Sequence, residues 1–138
     1  MVKKKFAIKP VEKQTGVSQS EIDSFLRVEY PLFSFKYLTD FSFKGFRDGG
    51  FFSEFLLRLR KLSELGWKEI AKSDRHAYGM EKIPRDILKH ALPSQITPEV
   101  PIFAFRAVGD NRPFVGFREG NVFHIVFIEA SFGDIYNH

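Results

Sequence analysis

The residues of this chain best suited to chemistry lie in its last third. Arg106, Arg112, Arg118 and His124 fall between residues 102 and 128, and Tyr136 and His138 follow. Guanidinium forks donate to phosphate oxygens in pairs, and imidazole or phenol groups transfer protons when held within hydrogen-bond reach. Gathered on one surface, these side chains would form a site for an anionic substrate. Upstream, Asp74-Arg75-His76 and Glu81 stand in a connection. There Glu81 is placed to orient a cation, and His76 is either a proton carrier or, more simply, a surface-loop histidine. Tyr136 and His138 either fold back over the sheet as stacking platform and general acid or base, or fray as termini commonly do.

Three short strands must position the arginines. Gly109-Asp110-Asn111 and Glu119-Gly120-Asn121 are turn signals, and they bracket strands over 102–108, 112–118 and 122–128. The shortest registers pair Val108 with Arg112 and Arg118 with Val122. Side-chain alternation then gives a core face of Phe103, Phe105, Ala107, Val115, Phe117, Phe123, Ile125 and Phe127. The opposite face carries Arg106, Arg112, Arg118 and His124, interleaved with Phe114, Val122 and Val126. On that register Gly116 opens space beside the His124 imidazole. Mixed arginine and aromatic side chains suit RNA, with Arg112 and Phe114 as binding residues. Solvated arginines paired with Asp110, Glu119 and Glu129 are the plainer alternative, and a slip of one residue in either hairpin disperses the cluster.

Upstream, Ser18-Gln19-Ser20-Glu21 has capping-box spacing, which predicts a short helix at about 19–28. Leu32 to Tyr37 alternates as a strand, and Phe41-Ser42-Phe43 resumes the pattern as a return strand or ordered loop. Phe52, Phe55, Leu56, Leu59, Leu62 and Leu65 trace one face of a helix, ended by Gly66. Trp67 and Ile70 begin a second, short helix ending near Ser73. Ala77–Pro84 has weak strand character, Pro84–Leu92 suggests a short helix, and prolines make the remainder to Pro101 a loop. The expected organisation is an N-terminal extension over 1–30 and an α+β domain over 31–138. That domain has a mostly antiparallel sheet whose C-terminal three-stranded meander packs on a helical hairpin.

A chain of 138 residues, 43% hydrophobic and 28% charged, fits one soluble domain. Seventeen phenylalanines predict an aromatic core. With no cysteine there is neither disulfide framework nor thiolate chemistry, which fits a cytoplasmic location. The N-terminus lacks the apolar run of a signal peptide, and no stretch is long enough for a membrane span. A net charge of +4 permits an acidic partner. His76, His90, His124 and His138 show no zinc-site spacing, and phosphate-cradling glycine loops and serine nucleophile elbows are absent. Neither metal nor cofactor is expected.

The order of strand, helix hairpin, connection, three-stranded meander and aromatic tail resembles the RelE/ParE superfamily of small toxins, in its RelE and YoeB branch. The residues carrying the resemblance are Phe51–Leu65 with Trp67-Lys68-Glu69-Ile70, Arg112–Arg118, Val122–Ile128 and Tyr136-Asn137-His138. It spans about residues 32–138 by element order and residue type rather than by a shared signature. It implies a messenger-RNA endoribonuclease of a toxin–antitoxin pair, acting without a metal on RNA, on the ribosome in that family, with a small antitoxin as protein partner. Arg106 and Arg118 would hold the scissile phosphate, Tyr136 or His138 would stack on or protonate the substrate, and Glu81 would act as base. The N-terminal segment, the proline-rich insert at 84–101 and the lack of lysine on the sheet depart from the family. A non-catalytic nucleic-acid or protein binding module of the same fold, or an inert accessory protein, are the alternatives.

Overall fold

The computed structural model describes residues 16–27 and 29–138; residues 1–15 of the expected N-terminal extension lie outside the described residues. The capping box forms as its spacing predicts. The Ser18 hydroxyl accepts the Glu21 N–H and the Glu21 carboxylate accepts the Ser18 N–H, each at 3.2 Å, and α1 runs Gln19–Arg27. Strand β1 is Leu32–Ser34, shorter than expected. The Ser34 hydroxyl accepts the Lys36 N–H at 3.1 Å and turns the chain out of the strand.

Helix α2, Gly49–Lys72, starts where Asp48 accepts the Phe51 N–H at 3.1 Å. Phe51, Phe55, Leu59 and Leu62 form its buried stripe, whereas Leu56, expected on that stripe, is 65% exposed. Within this span two helices meet at a kink, the first ending at Gly66 (φ 80°, ψ 154°) as expected and a short second one running on to Lys72. The break is short because Trp67 at once recovers an acceptor: its N–H donates to the Glu29 carbonyl at 2.7 Å. Left-handed φ is cheap for glycine alone.

Strands β2 (Glu81–Ile83), β3 (Ile102–Arg106), β4 (Pro113–Glu119) and β5 (Val122–Ile128) complete a mixed five-stranded sheet in the order β1-β5-β4-β3-β2. β1 lies parallel to β5, and the other pairings are antiparallel. The expected registers are wrong by one residue in both hairpins. Arg106 pairs with Pro113 and Phe105 with Phe114, while Arg118 pairs with Phe123 and Glu119 with Val122. Between Val115–Phe127 and Gly116–Ile125 the register shifts again, leaving Val126 as the extra residue of a β-bulge. Its carbonyl accepts both the N–H and the hydroxyl of Thr39, each at 3.0 Å.

These shifts redistribute the faces. Phe105, Phe114, Phe123, Ile125 and Ile128 pack with the α2 stripe, Trp67 and Ile70. Here Phe105 stacks on Phe114 at 5.1 Å and meets Phe123 edge-on at 5.1 Å. Each such aromatic pair adds about 0.5–1.5 kcal/mol beyond burial. The other face is not the solvated surface expected. Val115, Val126 and Phe127 build a second core there with Ile83, Ile96, Ile102 and Ile135. The proline-rich segment supplies its cover through Leu88, Leu92, Ile96 and Val100, and Tyr37 and Phe41 join from the β1 side. Within that segment only Arg85–Ile87 is helical, as a 3-10 turn, where a longer helix was expected. Phe41-Ser42-Phe43 is an ordered 3-10 turn and its end rather than a strand; buried Ser42 accepts the Ile128 N–H at 3.0 Å.

Gly116 opens no space beside the imidazole. A Cβ there would stand 1.9 Å from the His124 carbonyl oxygen, so glycine is what lets β4 and β5 close at the bulge. Gly116→Ala is expected to cost at least about 1–3 kcal/mol, the range for overpacked sites. Gly109→Ala, with nothing within 4 Å of its Cβ position, serves as the neutral control. Urea denaturation measures both, and equal midpoints for the two variants would refute the account of the bulge.

Candidate functional site

An open cleft of about 390 Å³ lies where the C-terminal ends of the second core meet the turn after α2. Arg75, His76, Glu81, Arg106, Tyr136 and His138 line it, with Asn111 at its edge. Three separate stretches of chain supply them, and each is held by identifiable bonds.

Arg106 ends β3 on the second face. Its Nη2 donates to Nδ1 of His76 at 2.7 Å and to Oδ1 of Asn111. His76 is not a loose loop residue. Asp74 builds the turn beneath it, accepting the His76 N–H on its carboxylate at 2.7 Å and the Ala77 and Gly79 N–H groups on its carbonyl at 2.9 Å each. A Cβ at Gly79 would lie 2.2 Å from the Ser73 carbonyl oxygen, so the turn closes only around glycine. Arg58 fastens the turn to the sheet, donating to the carbonyls of Ala77 at 2.7 Å and Val108 at 3.1 Å. On the near rim Glu81 accepts from Arg75 at 2.8 Å; both are about half exposed, so the pair adds little stability.

The far wall is the tail, which is folded back rather than frayed. Its anchors are Ile135, wholly buried, and Glu129, a carboxylate with no exposed surface. Glu129 accepts the Ile135 N–H at 3.0 Å on one oxygen and pairs with Nε2 of His138 on the other. The Ile135 carbonyl accepts the Lys89 N–H at 2.7 Å, and the Lys89 ammonium donates to the Gly133 carbonyl at 2.6 Å. The His138 ring sits 5.1 Å from that of Tyr136 and 5.0 Å from that of Phe132. A carboxylate on Nε2 selects the tautomer that carries Nε2–H and leaves Nδ1 as an acceptor. Burial first, then the negative charges of Glu129 and Glu81, push the Tyr136 phenol up to about 12 against a smaller opposing pull from Arg75. Near neutral pH Tyr136 is therefore a hydrogen-bond donor and not a base.

The structure brings together Arg106, Glu81, Tyr136 and His138 of the residues singled out in the sequence, and separates the rest. Arg118 pairs with Phe123 and so points to the helix side. Its guanidinium lies 4.0 Å from the Trp67 ring centre, its Nε donates to the Gly120 carbonyl at 2.6 Å, and Glu29 is 3.8 Å away. Arg112 also faces α2, 4.7 Å from the Phe51 ring centre, bonded to Asp110 and to the Ala130 carbonyl. Burial alone would raise the Asp110 carboxyl, but the Arg112 hydrogen bonds outweigh it and hold it below its ordinary value. Phe114 is wholly buried and offers no ring to a base. His124 is 7% exposed, between the rings of Tyr37 and Phe117, with Nε2 at 2.8 Å from Glu119. Its Nδ1 has no partner among the described residues. The sequence weighed His76 as a proton carrier but favoured a surface-loop residue, which its exposure bears out, and it gave no role to Arg75 or Asn111 and no anchoring role to Glu129. The signals were present: Asp two places before His76 suits an Asx turn, and Glu129 directly follows an unbroken apolar strand end. Among the described residues no group of three or more His, Asp or Glu side chains is arranged to hold a metal ion, and no helix is long and apolar enough to cross a membrane.

The Tyr136 environment carries a sign. A neutral phenol favoured by the fold contributes stability in full below the ordinary value of 10.0 and loses it as pH rises through about 12. In ultraviolet titration, subtracting Tyr136→Phe from the parent should isolate one phenol ionising near pH 12; a difference curve centred on the ordinary value would refute the buried, negatively flanked setting. Compared with protein-family models, with curated proteins and with solved structures, the chain finds no match.

Proposed function

We propose that this chain is a toxin-like endoribonuclease that cuts RNA by general acid–base transfer, with Arg106, Tyr136, His138 and Glu81 as its working side chains. The observation that carries the reading is their convergence on one cleft from β3, β2 and the tail. The meander of β3, β4 and β5 against α2 supports a RelE-like reading of the fold, and the tail, buttressed by Glu129, supports the role given to Tyr136 and His138.

In this reading the RNA 2′-hydroxyl attacks the adjacent phosphorus. The new O2′–P bond forms as the P–O5′ bond breaks, leaving a 2′,3′-cyclic phosphate and a 5′-oxygen that becomes a hydroxyl by taking a proton from a donor of the cleft or from water. Nδ1 of His138, or the Glu81 carboxylate once released from Arg75, takes the 2′-hydroxyl proton. Arg106 donates to the phosphate oxygens as their charge grows. The Tyr136 phenol donates a hydrogen bond to the substrate or stacks on a base. The reaction requires no cofactor, and it requires RNA because the nucleophile is the substrate's own hydroxyl. The partners of this reading are RNA, free or on a ribosome in the cytoplasm, and a small antitoxin.

Single-stranded RNA and translating ribosomes, each offered to the purified chain, test the proposal. Arg106→Ala should lower cleavage about 10²–10³-fold, the loss typical of one oxyanion donor, and growth arrest on expression should disappear with it. Arg118→Ala, outside the cleft, should keep cleavage provided circular dichroism shows it folded. Salt-sensitive RNA binding with intact substrate in every condition would establish the binding-module alternative instead.

A further inference from the structure

We propose that His76 is a second acid–base group of the cleft, held idle by Arg106 in the free protein and released when a phosphate binds. This rests on the cleft as an RNA-cleaving site for its catalytic part, but its binding part stands on geometry alone.

Arg106 can only donate, so at 2.7 Å the Nδ1 of His76 is the acceptor and carries no proton while the contact lasts. Both N–H bonds of Nη2 are engaged, one on His76 and one on Asn111. Each of those acceptors is neutral. A phosphate oxygen is anionic, and bonds from guanidinium to an anion are roughly twice as strong as those to neutral groups. Phosphate arriving at Arg106 therefore displaces the imidazole.

The displaced ring does not leave, because the Asp74 turn and Arg58 fix its backbone. It loses a cationic neighbour and gains an anionic one at the same place. Nδ1 then takes a proton from solvent and donates to the phosphate. The charged and titratable groups around His76 are Asp74, whose carboxylate holds its N–H, Arg75 and Glu81 on the rim, Lys82 of β2, Arg106, and Tyr136 and His138 across the cleft. Arg75 and Glu81 already neutralise one another, so the incoming phosphate is the change that the ring registers.

On an RNA substrate this completes a two-imidazole cycle. His138 accepts the proton of the attacking 2′-hydroxyl, and His76 gives its proton to O5′ as the P–O5′ bond breaks. After product leaves, neutral His76 returns to Arg106 and His138 loses its proton to solvent. The ligand class is a phosphate mono- or diester whose oxygens reach both Arg106 and His76.

Proton NMR of the full chain at constant neutral pH, with inorganic phosphate as the probe, tests the binding part. His76→Gln identifies the His76 ring lines. Added phosphate should move the His76 Cε1–H line toward its protonated position, and Arg106→Gln should abolish the movement. A line that stays in place as phosphate is added overturns the proposal. In the cleavage assay His76→Gln keeps an acceptor for Arg106 but carries no proton. It should lower kcat about 10²–10⁴-fold with KM nearly unchanged, and an unchanged kcat overturns the acid role. A chain that shifts the line but never cuts RNA retires the endoribonuclease reading and keeps the phosphate site. Cleavage with the line unmoved does the reverse.

Discussion

A carboxylate without solvent contact organises the functional end of this molecule. Glu129 follows β5 into the interior, where an unpaired charge would cost several kcal/mol. It meets two partners, the Ile135 N–H and the His138 imidazole, and both belong to the following ten residues. That requirement turns a stretch that would otherwise fray into an ordered arm, buries Ile135 in the second core, and stands Tyr136 and His138 along a cleft wall. The histidine's orientation and the phenol's low-polarity, negatively flanked setting both follow from it.

The second organising fact is that the sheet is covered on both sides. One face takes α2 and its phenylalanines, and the other takes the proline-rich segment, the 3-10 turn at Asp40–Ser42 and the tail. Among the described residues the cleft opens at the margin where β2, β3 and the tail meet. Two of the arginines serve the packing. Arg118 over Trp67 and Arg112 over Phe51 seat guanidinium groups on aromatic rings between sheet and helix, contacts worth about 0.5–2 kcal/mol depending on exposure.

The sequence disclosed what is local and hid what is distant. Ser18 and Glu21 announced a helix start, Asp48 and Gly66 marked a helix and its break, and the turn residues located the last three strands to within two residues at most boundaries. Register was illegible, because alternation reveals a strand's period and not which neighbour it meets. The bulge at Val126 depends on Thr39, 87 residues away, to receive its carbonyl, and no feature near Val126 announces that partner. The same slip explains why the expected arginine cluster divides: one residue of displacement sends Arg118 to the helix side and leaves Arg106 opposite. Tyr136 and His138 were singled out in the sequence and do line the cleft. The Arg106 contact of His76 was not legible, since that guanidinium comes from 30 residues downstream.

The parallel strand has its own implication for how the chain assembles during synthesis. Leu32–Ser34 emerges long before the ladder that receives it, Val122–His124. Closing so long a loop is entropically slow compared with the adjacent hairpins of the meander. On a translating ribosome β1 and the Thr39 turn therefore wait, without their partners on β5, until the β4–β5 hairpin exists. The edge opposite β2 is closed by an early strand docking onto a later one.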